Sequence, residues 1–176
     1  MKNTFVYYPD NQNQHETTCL HLIASLYGNE QPIEKLSEKF QSSKQGQPLI
    51  RISKVAEEIG FHTIIAILSF QEFIKVPLPC IALFEENQYI VVKQIKKHKN
   101  NADILTIDPY SGKITYSQEE FCNKWLNVKA GCNNEGVLLL MNPKFDFYYQ
   151  NKKRKRFENL HYHLCNLKYH KNNLFS

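Results

Sequence analysis

The amino-acid sequence predicts an α+β domain, with N-terminal helices packed on an antiparallel β-sheet. Three observations predict it. Apolar residues recur at helical spacing up to Gly60 and at strand spacing after it. Helical segments are grouped first and strands follow, without the alternation of a parallel βαβ fold. The later apolar runs are separated by polar turns, with Asp108-Pro109 and Ser111-Gly112 supplying turn chemistry.

Taken in order, Cys19, Leu20, Ile23, Ala24 and Tyr27 lie at helical spacing and predict a buried helix over about residues 18–27. Thr17 or Thr18 can cap its start and Gly28 can end it. Pro32 opens a short amphipathic helix through Phe40. SSKQGQPL reads as loop, and residues 51–60 as an amphipathic helix closed by Gly60. HTIIAIL is β-branched and apolar, which favours a strand. SFQEFIKV reads as one short helix, and PCIALF, QYIVVKQI, DILTIDP and KITY as strands. Ser117 followed by Glu120 is a capping box that opens a helix over residues 117–126. GVLLLMN, residues 136–142, is a buried strand, and there is no internal repeat.

Composition narrows the class. A chain of 176 residues allows one ordinary domain, or one domain with an appendage. With 11 Phe and 10 Tyr it has the aromatic content of a packed chain. No apolar run approaches the length of a membrane-spanning helix. MKNTFVYYPDNQNQH lacks the apolar core and small-residue cleavage site of a secretory signal. The net charge of +5 is uneven: residues 144–176 carry +6 and residues 1–143 carry −1. The near-neutral body lacks the broad basic face of a nucleic-acid binder, so no nucleic-acid partner is expected. The five cysteines, Cys19, Cys80, Cys122, Cys132 and Cys165, include no Cys-x-x-Cys pair. They read as buried thiols rather than a zinc ribbon or a disulfide framework. In the tail, NKKRKR precedes Phe157, Leu160, Leu164 and Leu167 at helical spacing. That is either a basic amphipathic helix for a membrane surface or a terminal helix with a solvated face.

Several ordered pieces resemble the peptidase C39 domain. They are Cys19-Leu20 through Tyr27-Gly28, then Gly46 with Ile52 through Ala56 to Phe61, and then Leu78-Pro79-Cys80-Ile81. Tyr89-Ile90-Val91-Val92 follows, then Asp108-Pro109-x-x-Gly112 with Ser117 to Phe121 and Trp125, and last Gly136 to Leu140 with Asn142-Pro143. The resemblance implies a papain-like cysteine-peptidase fold over residues 1–145. Residues 146–176 would be a basic linker and interfacial helix leading to a transmembrane domain outside this chain. It further implies a bacteriocin- or peptide-exporting ABC transporter at the cytoplasmic face of the bacterial plasma membrane. Expected partners are a leader or cargo peptide, the transporter's membrane and ATPase domains, and the membrane surface through residues 151–176.

C39 peptidases cut after a double-glycine type site with a Cys nucleophile, a His base, an orienting Asp and an oxyanion-binding Gln. Carried onto this sequence, the nucleophile position is His15, preceded by Gln14 and followed by Glu16. The base position is Gln88, and Asp108 alone survives. The oxyanion position falls on Pro9, or with a one-residue gap on Asp10, with Gln12 and Gln14 close by. Gln cannot act as a base near neutral pH, so no catalytic residue is expected from His15, Gln88 and Asp108. Cys19, matching the family's second Cys, is the fallback nucleophile of an active-peptidase alternative. His62 and His98 read as surface or satisfied histidines, and His161, His163 and His170 in the tail as interfacial or solvated. His15, Glu16, Gln88 and Asp108 lack an established metal spacing, so no metal and no cofactor is expected. The expected role is peptide binding or gating without cleavage, with His15, Glu16, Gln88, Tyr89, Asp108 and Tyr110 as contact residues and Phe84 as a further cleft-wall candidate. A purely regulatory domain without cargo affinity is a third class.

Overall fold

The computed structural model describes residues 12–29, 31–43, 46–84, 88–126 and 134–148. The basic run at 151–156, the amphipathic stretch after it with His161, His163 and His170, and Pro9 and Asp10 lie outside the described residues.

Three helices lead. The first, α1 (Gln12–Leu26), begins about six residues before the expected start. Near its start, His15 and Glu16 have partners distant in sequence, which local spacing does not reveal. Its end follows expectation. Gly28 adopts φ 80°, and the N–H groups of Gly28 and Asn29 close on the carbonyls of Ser25 and Ala24. That pair of bonds is a Schellman cap, and it needs the left-handed conformation glycine adopts without strain. Next, α2 (Ile33–Ser42) buries Leu36 and Phe40. Then α3 (Pro48–Glu58) starts three residues earlier than expected, with Pro48 in its first turn where no N–H is required.

Six strands follow: β1 (Phe61–Ser69), β2 (Cys80–Leu83), β3 (Tyr89–Lys97), β4 (Ala102–Asp108), β5 (Gly112–Ser117) and β6 (Glu135–Pro143). They form one sheet in the order β1-β6-β2-β3-β4-β5, with every pairing antiparallel. Between them lie α4 (Phe70–Phe73) and α5 (Gln118–Trp125). Both are opened by capping boxes, Ser69 with Glu72 and Ser117 with Glu120.

Helices cover both faces of the inner strands, and alternation sends successive side chains to opposite faces, while edge strand β1 leaves Ile64, Ile65 and Ile67 exposed. One face packs Phe61, Ile81, Val91, Ile107, Leu139 and Met141 under the three N-terminal helices. The other packs Ala82, Ile90, Val92, Ile104, Leu138 and Leu140 under α4 and α5, around stacked Phe73 and Phe121 and the indole of Trp125. Each large side chain buried this way contributes roughly 1.5–3 kcal/mol. The first packing continues into a short 3-10 turn, Phe145–Tyr148, where Phe147 meets Phe61 at a ring separation of 4.4 Å.

The register sets up the site. In the β3–β4 pairing Val91 faces Ile107, so the start of β3 and the end of β4 lie side by side. Helix α1 packs across β3 on that face.

Candidate functional site

Four chain segments meet where β3 begins and β4 ends. From β4, Asp108 is 2% exposed and its carboxylate accepts three hydrogen bonds. Oδ1 takes the backbone N–H groups of Tyr110 and Ser111, each at 2.7 Å, which is the local closure expected of an Asp at a turn. Oδ2 takes Nε2 of Gln88 at 2.8 Å. Gln88 itself is exposed, and its backbone carbonyl accepts from Phe84 N at 2.8 Å, closing the β2–β3 connection.

From α1, His15 is 8% exposed and lies against two tyrosines. Tyr110 stacks on it at 5.0 Å between centroids and 23° between planes, and Tyr89 sits tilted at 6.2 Å. Burial lowers the His15 pKa, and the charge of Asp108 opposes that shift. The ring is therefore neutral at pH 7. Glu16, beside it in sequence and 2% exposed, pairs with Arg51 of α3. Burial raises its pKa and the guanidinium counters. Burial, with the Glu16 charge behind it, also pushes the Tyr89 phenol up to about 12.

Cys19, one turn beyond His15, is fully buried. Its thiol donates to the Tyr89 carbonyl at 3.4 Å. Burial, followed by the charges of Asp108 and Glu16, pushes its pKa well above the ordinary thiol value. A nucleophilic cysteine needs the reverse, a partly exposed setting that favours thiolate.

His15, Gln88, Tyr89, Asp108 and Tyr110 are thus brought together, with Glu16 turned aside into its ion pair. Phe84 is a correction: it is 2% exposed and packs with Tyr116 and Phe121 in the opposite core. The alternation that points Ile81 to one face points Ala82 and Phe84 to the other. His62 is exposed on β1, and His98 pairs at the surface with Asp103 at 2.8 Å. Arg51 was missed as a site residue, although a buried Glu16 demands a cation or donors. Among the described residues no three His, Cys, Asp or Glu side chains form a metal-holding group.

The sequence profile of the Peptidase C39 family matches residues 6–144. The chain belongs to the peptidase C39 family. It is 27% identical over 148 residues to the lactococcin-G-processing and transport ATP-binding protein LagD of Lactococcus lactis subsp. lactis, covering 81% of this chain and 19% of LagD. The C39 chain thus spans about a fifth of that curated relative. Among solved structures, it matches a double glycine motif protease from an AMS/PCAT transporter in complex with the leader peptide. There the TM-score is 0.60 at 20% identity, covering 79% of this chain and 91% of that one. The peptidase domain of Streptococcus ComA, a bifunctional ABC transporter, matches with a TM-score of 0.59 at 19% identity, covering 80% and 99% of the two chains. At these identities the two structures establish the shared fold, the papain-like arrangement of C39 domains.

Proposed function

We propose that this C39 domain holds leader or cargo peptide without cutting it, as the cytosolic peptide-docking part of a peptide-exporting ABC transporter. The observation that carries the reading is the Gln88–Asp108 pair. Where the family resemblance calls for an imidazole oriented by a carboxylate, an amide occupies the carboxylate. An amide takes no proton at neutral pH, so a thiol beside it has no base. Two further observations support the reading. His15, to which the resemblance assigns the nucleophile position, is neutral and covered by Tyr110. Cys19 is buried with its proton favoured.

Support for a peptide ligand comes from relatives. One solved C39 structure contains a leader peptide, and LagD is named for processing and transport. In this reading residues 151–176 join the domain to membrane and ATPase domains and touch the membrane surface. The test is a titration of labelled synthetic peptide ending in Gly-Gly into the purified chain, followed by fluorescence anisotropy. Saturable binding is expected. A flat titration with leader and cargo peptides alike would favour a purely regulatory domain.

A further inference from the structure

Gln88 is exposed, yet its side chain is not free to turn. Asp108 is buried and its carboxylate already accepts the Tyr110 and Ser111 N–H groups, so its position is set by the turn itself. It presents Oδ2 to Gln88. A carboxylate offers only acceptors, so the amide nitrogen must face it. Flipping the amide would set Oε1 against Oδ2, exchanging a charge-assisted hydrogen bond for oxygen–oxygen repulsion. A surface glutamine ordinarily interconverts its two ends. This one has a single polarity, with Oε1 and the second N–H of Nε2 left without partners among the described residues.

The geometry points to Gln88 as a reader of peptide backbone, with Asp108 as its positioning residue. An outward acceptor and an outward donor on one rigid amide match the N–H and C=O of an extended chain. That match is indifferent to the side chains the peptide carries. The site therefore selects an extended segment with free backbone N–H groups and tolerates varied cargo sequence at that register. Asp108 does not touch the peptide; it acts by holding the polarity of Gln88. This inference rests on the peptide-binding reading above and names what the site reads.

The experiment uses the labelled Gly-Gly peptide and a set of the same peptide carrying single backbone N-methyl groups. Gln88→Ala is expected to weaken the parent peptide about five- to tenfold, the loss of one hydrogen bond. One N-methyl position should weaken binding to the natural chain by a similar factor and add nothing in Gln88→Ala. Side-chain changes at that position should leave affinity unchanged. In Asp108→Asn the side-chain oxygen stays with the Tyr110 and Ser111 N–H groups and the NH2 faces Gln88, so the Gln88 amide loses its outward Oε1 and its bonded N–H, and affinity should fall as in Gln88→Ala. In NMR spectra, one Gln88 side-chain N–H should exchange slowly in the natural chain and quickly in Asp108→Asn, a signature that a merely structural Asp108 would not produce. If the natural chain binds the peptide and Gln88→Ala binds it equally well, this inference falls while the binding reading stands. If the natural chain binds no peptide, both fall. A freely exchanging Gln88 amide in the natural chain refutes the positioning role whatever the peptide does.

Discussion

Replacing Arg51 with Met should expose how Glu16 is held. Glu16 is 2% exposed, Arg51 supports its Oε1, and its Oε2 has no partner among the described residues. Methionine keeps most of the apolar stem of Arg51 and removes the guanidinium, leaving a buried carboxylate without hydrogen bonds. Breaking one side of a buried pair costs about 3–5 kcal/mol, a large share of the roughly 5–15 kcal/mol that holds a domain. The loss must depend on pH. Burial holds the Glu16 pKa above its unfolded value, so its contribution is fully present below the unfolded pKa and is lost as pH rises through the folded pKa. Without Arg51 the folded pKa climbs further, and the loss continues to higher pH. Urea unfolding, followed through the single Trp125, should show a large deficit for Arg51→Met at pH 7. The deficit should be small near pH 3, below the ordinary Glu pKa of about 4.3, where the carboxyl is protonated in both states. Adding Glu16→Gln should recover most of it. An equal deficit at both pH values would refute the reasoning.

Other perturbations have equally definite outcomes. A Cβ at Gly136 would lie 2.2, 2.4 and 2.5 Å from Cε2, Cδ2 and Nε1 of Trp125, whose indole donates to Val137 O at 3.0 Å. Gly136→Ala should therefore cost about 3 kcal/mol by overpacking and red-shift the tryptophan emission; unchanged emission and stability would contradict the packing. Tyr110→Ala uncovers His15 and relieves the burial that lowers its pKa, so NMR titration should find that pKa moved up toward the ordinary value of about 6.5. No movement would mean that the stacked ring does not shield it. Cys19 should react with a thiol reagent only as fast as the domain opens, and rapid labelling of Cys19 in the native state would contradict its burial.

Much of the fold was legible because its signals are local. Short β-branched and apolar runs between polar turns marked the strands, and Ser117 with Glu120 marked the start of α5. The start of α1 was not legible, because Gln12 to Thr17 look polar, while His15 is held from afar by Tyr110 and Glu16 by Arg51, 35 residues away. Pro48 was read as loop although a proline also suits a first helical turn. The side of the sheet that Phe84 faces depends on alternation parity together with which helices cover each face. The positions of His15, Gln88 and Asp108 came from the family resemblance. That Gln88 bonds Asp108, and that Tyr110 covers His15, follows from the β3–β4 register and the turn after Asp108, neither of which spacing alone encodes.

The central claim is that peptide is held here and left intact. Mass spectrometry of the natural chain incubated at pH 7 with a peptide extending past a Gly-Gly pair tests it most directly, with bound fraction measured on the same sample. The expected result is full-length peptide in saturable complex. A fragment ending at Gly-Gly, produced by the natural chain and absent with Cys19→Ala, would contradict it and make Cys19 the nucleophile of a working peptidase.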